Sequence, residues 1–426
     1  MKKIVVLSLL IIAIIAVPFG IGFVTQQRSE ALNKHYSLNP NIHAIDSAFQ
    51  RGWFHSNILS KLSVYIPEIS DNPIAITVRQ SVRHGPVLWG DNRPLAFGFA
   101  DVKTDIEFPS DMQNKLTQAF GEIPTITLLT QLYYNGSQDS QLSIPELNHE
   151  DQGTHITIHP LKLDANSDLP VKHLQAILNW QGMQISHADS RASIGKSISH
   201  ANAQKEGIIW VGNMDWSTDS IQFVDKLKTL HLEHINIDGK TVVDAQQRVS
   251  SSQSLHIERI KSQGIEYGPG KYTIILNHIP LSVFEKLDDM QQKISVLPPA
   301  QRQRAMKNMG FSMFSLLPDI LAAEPEIKLH DALFTTPDGD IKGELYFTIT
   351  GLSKQDVMNF TKIKKHIRAD MQVQFPSALV SGSSRASIEN LLQKGWLLKE
   401  GNILHSTLHM ADGALTINDQ TIALPF

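Results

Sequence analysis

Apolar residues recur at every second position through most of this chain, a period that fits half-buried strands and not helices. Thr154-His155-Ile156-Thr157-Ile158-His159 alternates cleanly, as does Leu345-Tyr346-Phe347-Thr348-Ile349-Thr350. Leu230 and Leu232 are followed by Ile235 and Ile237, an alternation slipped by one position, as a β-bulge requires. Ala414 to Ile417 and Thr421 to Leu424 flank Asn418-Asp419-Gln420, which reads as a hairpin. Turn signals recur at Gly268-Pro269-Gly270, Pro337-Asp338-Gly339 and Asp412-Gly413. No strand–helix–strand rhythm appears, which argues against a doubly wound parallel sheet. The fold class expected is α+β, predominantly antiparallel β in large curved or sandwich-like sheets, with a few inserted helices.

Helical patterns are few. Asp111 to Phe120 reads as a short helix capped by Ser110. A helical insert is expected near 281–317, as Leu281 to Ile294 and Ala300 to Leu317 joined at Pro298-Pro299, with Pro318 closing the second helix. Lys354 to Arg368 and Ser384 to Lys394 complete the set. The second insert helix carries Met306, Met309, Met313, Leu316 and Leu317 along one stripe. That stripe is either packed on the sheet or an adaptable apolar surface for a lipid tail or partner helix. Helical spacing favours packing.

The first residues set the expected location. Met1-Lys2-Lys3 precedes an uncharged run from Ile4 to Val24. As a helix it spans about 31 Å, enough for a bilayer's hydrocarbon core and longer than the apolar region of a cleaved signal peptide. The organisation expected is a cytoplasmic tip at 1–3, a transmembrane signal anchor at 4–24 and a β-rich region at 25–426. Two sheet halves are conceivable in that region, with a boundary the sequence does not mark. The lysines before the span place the N-terminus in the cytoplasm.

Composition excludes several function classes. Thirty-eight basic against 42 acidic residues leave a net charge of −4, without the basic stripe of a nucleic-acid binder. With no cysteine there is no disulfide, thiolate zinc site or cysteine nucleophile.

Candidate chemistry is sparse. Among the 18 histidines, His155 and His159 share a strand face but stand about 13 Å apart, too far for one ion. His405 and His409 share that spacing, and His231 and His234 would point to opposite faces. Structural or solvated roles are expected for them. Asp164-Ala165-Asn166-Ser167-Asp168 imitates half a calcium loop, but Leu169 and Gln175 stand where glycine and glutamate are needed, so a polar turn is expected. Ser193-Ile194-Gly195-Lys196 matches SxxK and Ser70-Asp71-Asn72 matches SDN, in reversed order and without KTG. No catalytic residue, metal site or cofactor is assigned.

Two local motifs are more distinctive. Phe49-Gln50-Arg51-Gly52-Trp53-Phe54-His55-Ser56 follows the anchor, and Ser81-Val82-Arg83-His84-Gly85-Pro86-Val87 comes some thirty residues later. With the anchor, they resemble the YdgA-like family of bacterial inner-membrane-anchored periplasmic proteins. Trp180-Gln181-Gly182-Met183, Phe334 to Gly339, Gly401-Asn402 and Asp412 to Asn418 are similar to its later parts. Phe49 stands where that family suggests tyrosine, and Asp419 where it suggests glycine. The resemblance implies a single-pass inner-membrane protein with its bulk in the periplasm and no assigned reaction.

Physically, Gly52 permits a tight bend, Trp53 and Phe54 are expected to be buried, and Pro86 belongs at a strand end or edge. Arg51, Gly52, Trp53, Phe54, Ser56, His84, Gly85 and Pro86 are thus expected to be structural, and a ligand site shared by Arg51 and His84 is the less favoured alternative. Two functional readings stand. One is a non-catalytic binding protein for an apolar ligand, a lipid or an envelope partner, without nucleic acid. The other is a periplasmic hydrolase whose site is assembled from separated strands. An exposed apolar sheet face would favour the first, and a nucleophile beside its base in an open pocket the second.

Overall fold

The computed structural model describes residues 18, 20–27, 42–64, 73–90, 93–120, 126–168, 171–295, 297, 301, 304–305, 310, 313–357, 359–380 and 384–422. The chain forms two compact units, Met1–Ala188 and Asp189–Phe426. Antiparallel strands dominate both, as the alternation requires.

The first unit contains β1 (Ile42–Arg51), β2 (His55–Val64), β3 (Ile74–His84), β4 (Val87–Gly90), β5 (Arg93–Phe97), β6 (Ala100–Glu107), β7 (Thr127–Leu132), β8 (Ser137–Ile144), β9 (Leu147–Asp151), β10 (Thr154–Ile158), β11 (Leu161–Asp168), β12 (His173–Trp180) and β13 (Met183–His187). Eight of these pair antiparallel in the order β1-β2-β3-β6-β7-β8-β11-β12. Strand β10 lies between β9 and β13, and β4 pairs β5 in a separate hairpin. Directly opposed residues share a face, so the two faces can be read from the register. One face carries Ile58, Val82, Val102, Leu128, Leu142, Leu163 and Leu178. The other carries a polar row in which Arg83 meets Asp101 at 2.9 Å and Asn166 donates to Asp139 at 2.7 Å.

The helix of residues 20–27 covers part of the apolar face. Its Ile21 is buried with Ile58, Val82 and Ala100. Residues 1–17, most of the expected span, lie outside the described set, and no described helix is long and apolar enough to cross a membrane.

The second unit contains β14 (Ser190–Ile194), β15 (Ser197–Glu206), β16 (Ile209–Asp225), β17 (Lys228–Val243), β18 (Arg248–Ser262), β19 (Ile265–Tyr267), β20 (Gly270–Pro280), β21 (Glu326–Thr336), β22 (Gly339–Ile349), β23 (Ile367–Pro376), β24 (Leu398–Glu400), β25 (Ile403–Ala411), β26 (Ala414–Ile417) and β27 (Gln420–Ile422). Strands β14 and β15 both pair β16, and the sheet continues through β17, β18, β20, β21, β22, β23, β25, β26 and β27. The slip expected between Leu232 and Ile235 is not an inserted residue, because the register is the same on both sides of it. His234 turns to φ 50°, between the pairs Ser220–Glu233 and Thr218–Ile235. Asp331, at φ 54°, sits at a register shift in β21. Asn418 and Asp419 turn the final hairpin at φ 46° and 64°, a left-handed geometry that Asn and Asp tolerate better than most residues.

The helices depart from expectation in three places. Pro318 does not close the insert's second helix. It sits in the first turn of a new one, Leu317–Ala322, where its missing N–H costs no hydrogen bond. The helix expected over Lys354 to Arg368 is only Phe360–His366, because Asn359 caps it by accepting from the Lys362 N–H and Ile367 already begins β23. Within the methionine stripe, Met306 and Met309 lie outside the described residues. Met313 is 47% and Leu317 37% exposed, whereas Leu316 is buried.

Candidate functional site

The two sequence motifs meet at one corner of the first unit. Gly52 begins the tight connection from β1 to β2, its N–H donating to the His55 carbonyl at 2.8 Å. The β2–β3 register sets Ser56 opposite Val82 and brings His84 beside the turn. The His84 backbone N–H donates to the Phe54 carbonyl at 2.8 Å, and the Gly85 N–H to the Phe99 carbonyl at 2.9 Å. Inside the corner, Ser56 Oγ and His84 Nε2 are 3.0 Å apart, and His84 Nδ1 is 3.1 Å from the Trp53 carbonyl. A carbonyl can only accept, so Nδ1 carries the proton and Nε2 accepts from the serine hydroxyl.

This is a nucleophile beside a base, the arrangement the hydrolase reading needs. Three observations weigh against a catalytic role. Ser56 and His84 are 0% and 5% exposed. The group holding Nδ1 is a neutral carbonyl and not the carboxylate that would stabilise an imidazolium. The helix of residues 20–27 closes the approach: a Cβ on Gly22 would stand 2.6 Å from His84 Cε1. No room is left for a substrate carbonyl.

Burial pushes the His84 imidazole below its ordinary value, with neighbouring His55 adding to the shift and the Trp53 and Pro18 carbonyls opposing it. The unfolded chain therefore binds the proton more readily. The stability His84 contributes is complete above about pH 6.5 and declines as pH falls below that value. His84→Gln should flatten this slope, as urea unfolding of the parent and variant at about pH 7.5 and about pH 5.5 will show.

The Arg51 guanidinium lies 5.6 Å from the centre of the Phe23 ring, whereas His84 faces Gly22. Trp53 and Phe54, expected to be buried, are 47% and 53% exposed. They occupy a connection at the end of the sheet, beyond the face that the apolar residues cover. Trp53→Ala is accordingly expected to cost no more than about 1 kcal/mol in denaturant unfolding, in place of the 3–5 kcal/mol or so typical of a buried tryptophan.

The second unit presents a different feature. Ala201, Met214, Gly239, Gln253, Ile274, Leu329, Leu345, Met371, Leu408 and Ile417 oppose one another in turn, one residue from each of ten strands. The adjacent row on the same face includes Leu276, Ile327, Phe347, Ala369, Met410, Leu415 and Ile422. The reverse face is mostly polar, with Asn213, Lys240, Ser252, Ile275, Lys328, Tyr346, Asp370 and His409 in one row. The short helices cover only the margin of the apolar face, where Ile349, Leu352 and Val357 are buried against Leu321 and Ile363. Elsewhere it stays open: Met214 is 55%, Ile274 43%, Leu276 38% and Ile327 37% exposed. At the β15–β17 end the face dips into a trough of about 370 Å³, lined by Ala201, Ala203, Trp210, Gly212, Met214, Ile237 and Gly239 among others.

The remaining candidates are dispersed. Ser193 lies within β14 and Lys196 in the connection between β14 and β15. The SDN match at 70–72 lies outside the described residues. Asp164 to Asp168 is not a turn but the end of β11. There Asp168 accepts from the backbone N–H groups of Lys172 and His173, which with the His173 side chain hold its carboxyl down at about 2. His200 pairs with Asp215 at 2.7 Å and His409 with Asp370 at 2.6 Å, both exposed on the polar face. Among the described residues no three ligating side chains converge on a point.

The Ser56–His84 contact was missed in the sequence because 28 positions separate the two residues and only strand register unites them. The available signal was that both residues belong to distinctive motifs. No curated protein and no solved structure matches this chain. A family model described as "Bacterial protein of unknown function (DUF945)" matches residues 1–425, and the chain belongs to that family.

Proposed function

We propose that this is a membrane-tethered envelope protein that holds an apolar ligand, a lipid acyl chain in particular, against the open face of its second unit. The observation that carries this reading is the ladder from Ala201 to Ile417, which is apolar across most of ten strands and exposed over its central part. A sheet with one apolar face must bury that face against something, and contiguous apolar surface left open marks a binding site. Antiparallel sheets commonly leave one side to water, but that side is ordinarily the polar one. The uncharged run that begins at Ile4 would tether the protein to the inner membrane with the body in the periplasm, its end at Ile21 packed on the body and not in the bilayer, which agrees with the YdgA-like resemblance. The corner at Ser56 and His84 then serves to lock the tether's last turn onto the body.

The test is native mass spectrometry of the full chain extracted from its own membranes in mild detergent. Retention of a phospholipid or fatty acyl species by most of the protein is expected. Protein that carries only detergent after brief extraction would overturn the reading.

A further inference from the structure

We infer that one end of the first unit's sheet is a bilayer-docking platform, which inserts aromatic side chains into the interface of the membrane that holds the N-terminal run. Eight large hydrophobic side chains are exposed among the described residues of this unit. Six of them, Phe23, Trp53, Phe54, Leu95, Phe97 and Tyr134, gather at this end, and only Ile45 and Ile177 lie elsewhere.

Backbone hydrogen bonds establish the gathering. The Phe54 carbonyl accepts from His84, the Pro86 carbonyl from Gly98 at 3.1 Å, and the Leu132 carbonyl from Phe99 at 2.7 Å. These bonds join the β1–β2 turn, the β3–β4 corner, the β5–β6 connection and the end of β7. The Phe99 and Tyr134 rings meet edge to face at 6.4 Å, and Arg51 places Phe23 in the same group. Phe97 opposes Val87, so the β4–β5 hairpin leaves the sheet from this end.

Two of these connections set large aromatic residues beside ordinary turn residues, Gly52 and Asn135-Gly136, while the β4–β5 hairpin carries Asp91 and Arg93. Gly52-Trp53-Phe54 and Tyr133-Tyr134-Asn135-Gly136 carry no carboxylate and no cation. Water-facing turns favour Asp, Asn, Ser and Gly. Trp and Tyr, with an apolar ring and a polar tip, concentrate where a bilayer meets water.

Continuity with the tether selects the bilayer over other occupants. His84 packs against Gly22 and the Pro18 carbonyl, so the chain leaves the body toward its N-terminus at this corner. The residues before it, Ile4 to Val17, are uncharged. Trp53 and Phe54 are thus fixed beside the point where an apolar helix would enter the membrane. A tether alone would let the body tumble, whereas a tether beside an aromatic platform sets its orientation.

This inference rests on the anchor reading of residues 4–24, and its test separates the two. The chain has no cysteine, so single cysteines can be introduced and labelled cleanly. Phe54→Cys, Phe97→Cys, Ile177→Cys and Leu10→Cys variants of the full chain would each carry a small fluorophore. Each would be placed at one copy per phosphatidylcholine nanodisc containing lipid with a nitroxide high on its acyl chain. Labels at 54 and 97 should be quenched severalfold more than the label at 177. Equal quenching at 54, 97 and 177 overturns the platform. If the label at 10 is then quenched by lipid carrying its nitroxide deep in the chain, the anchor stands alone. If it is not, the anchor reading falls as well. Labels at 54 and 97 that are shielded from aqueous iodide yet unquenched by nitroxide would mean that this end faces a protein, and would also overturn the proposal.

Discussion

Gly85→Ala is expected to destabilise the first unit by at least about 3 kcal/mol, near the upper end of what overpacking does. The new Cβ would stand 1.8 Å from the Gly98 carbonyl oxygen and 3.2 Å from that of Phe99. Both obstacles are backbone and cannot rotate aside. Relief requires β6 to move away from β3, which breaks the hydrogen bonds from Gly85 to Phe99 and from Gly98 to Pro86. Each is worth about 1 kcal/mol, and the strain adds to them. Gly20→Ala is the matched control, because nothing lies within 4 Å of its Cβ and the residue is helical. Thermal unfolding of the two variants in the same detergent should show a marked loss for the first and none for the second. A Gly85→Ala protein as stable as its parent would mean that the corner is not built as described.

The second large effect concerns ligand retention. Met214→Asp and Ile274→Asp should each fold normally, since both side chains are already 55% and 43% exposed. Each nevertheless places a carboxylate in the ladder, where an alkyl chain would have to desolvate it. Lifting about four methylenes off the face forfeits about 3 kcal/mol, or about two orders of magnitude in affinity. Mass spectra of these variants should therefore be nearly free of lipid. The reverse-face change Ile275→Asp, one position along β20, should retain the parent's lipid. Equal loss from all three would point to a general defect and away from the face.

Much of this architecture was legible because strand alternation is local. Leu345, Phe347 and Ile349 mark one side of β22 from sequence alone, and the left-handed residue His234 falls where the alternation misses a beat between Leu232 and Ile235. That the apolar side stays open was not legible. What covers a sheet is chosen by elements far away in sequence, and spacing did not distinguish Leu316, which is buried, from Met313, which is 47% exposed. Trp53 misled for a related reason. A large ring has a strong tendency to be buried, yet two residues in a connection at the sheet's end have no face to turn toward. The corner chemistry was divided between two motifs, and each alone held only half of the Ser56–His84 bond.

The order of strands in the second unit has a consequence for how the sheet is made. From β15 through β18, and again from β20 to β23, every strand pairs with the one synthesised just before it. Closing the pairings from β15 through β18, and that of β21 with β22, requires only a short loop, whereas residues 281–325 stand between β20 and β21 and residues 350–366 between β22 and β23, a larger cost that grows slowly with loop length. A topology of nearest-neighbour contacts also has a low contact order for an all-antiparallel sheet of this size. The chain can thus add strands one at a time as it emerges, whether from a ribosome or from a translocation channel. At each stage it leaves a single growing edge rather than a collapsed intermediate waiting for a distant partner.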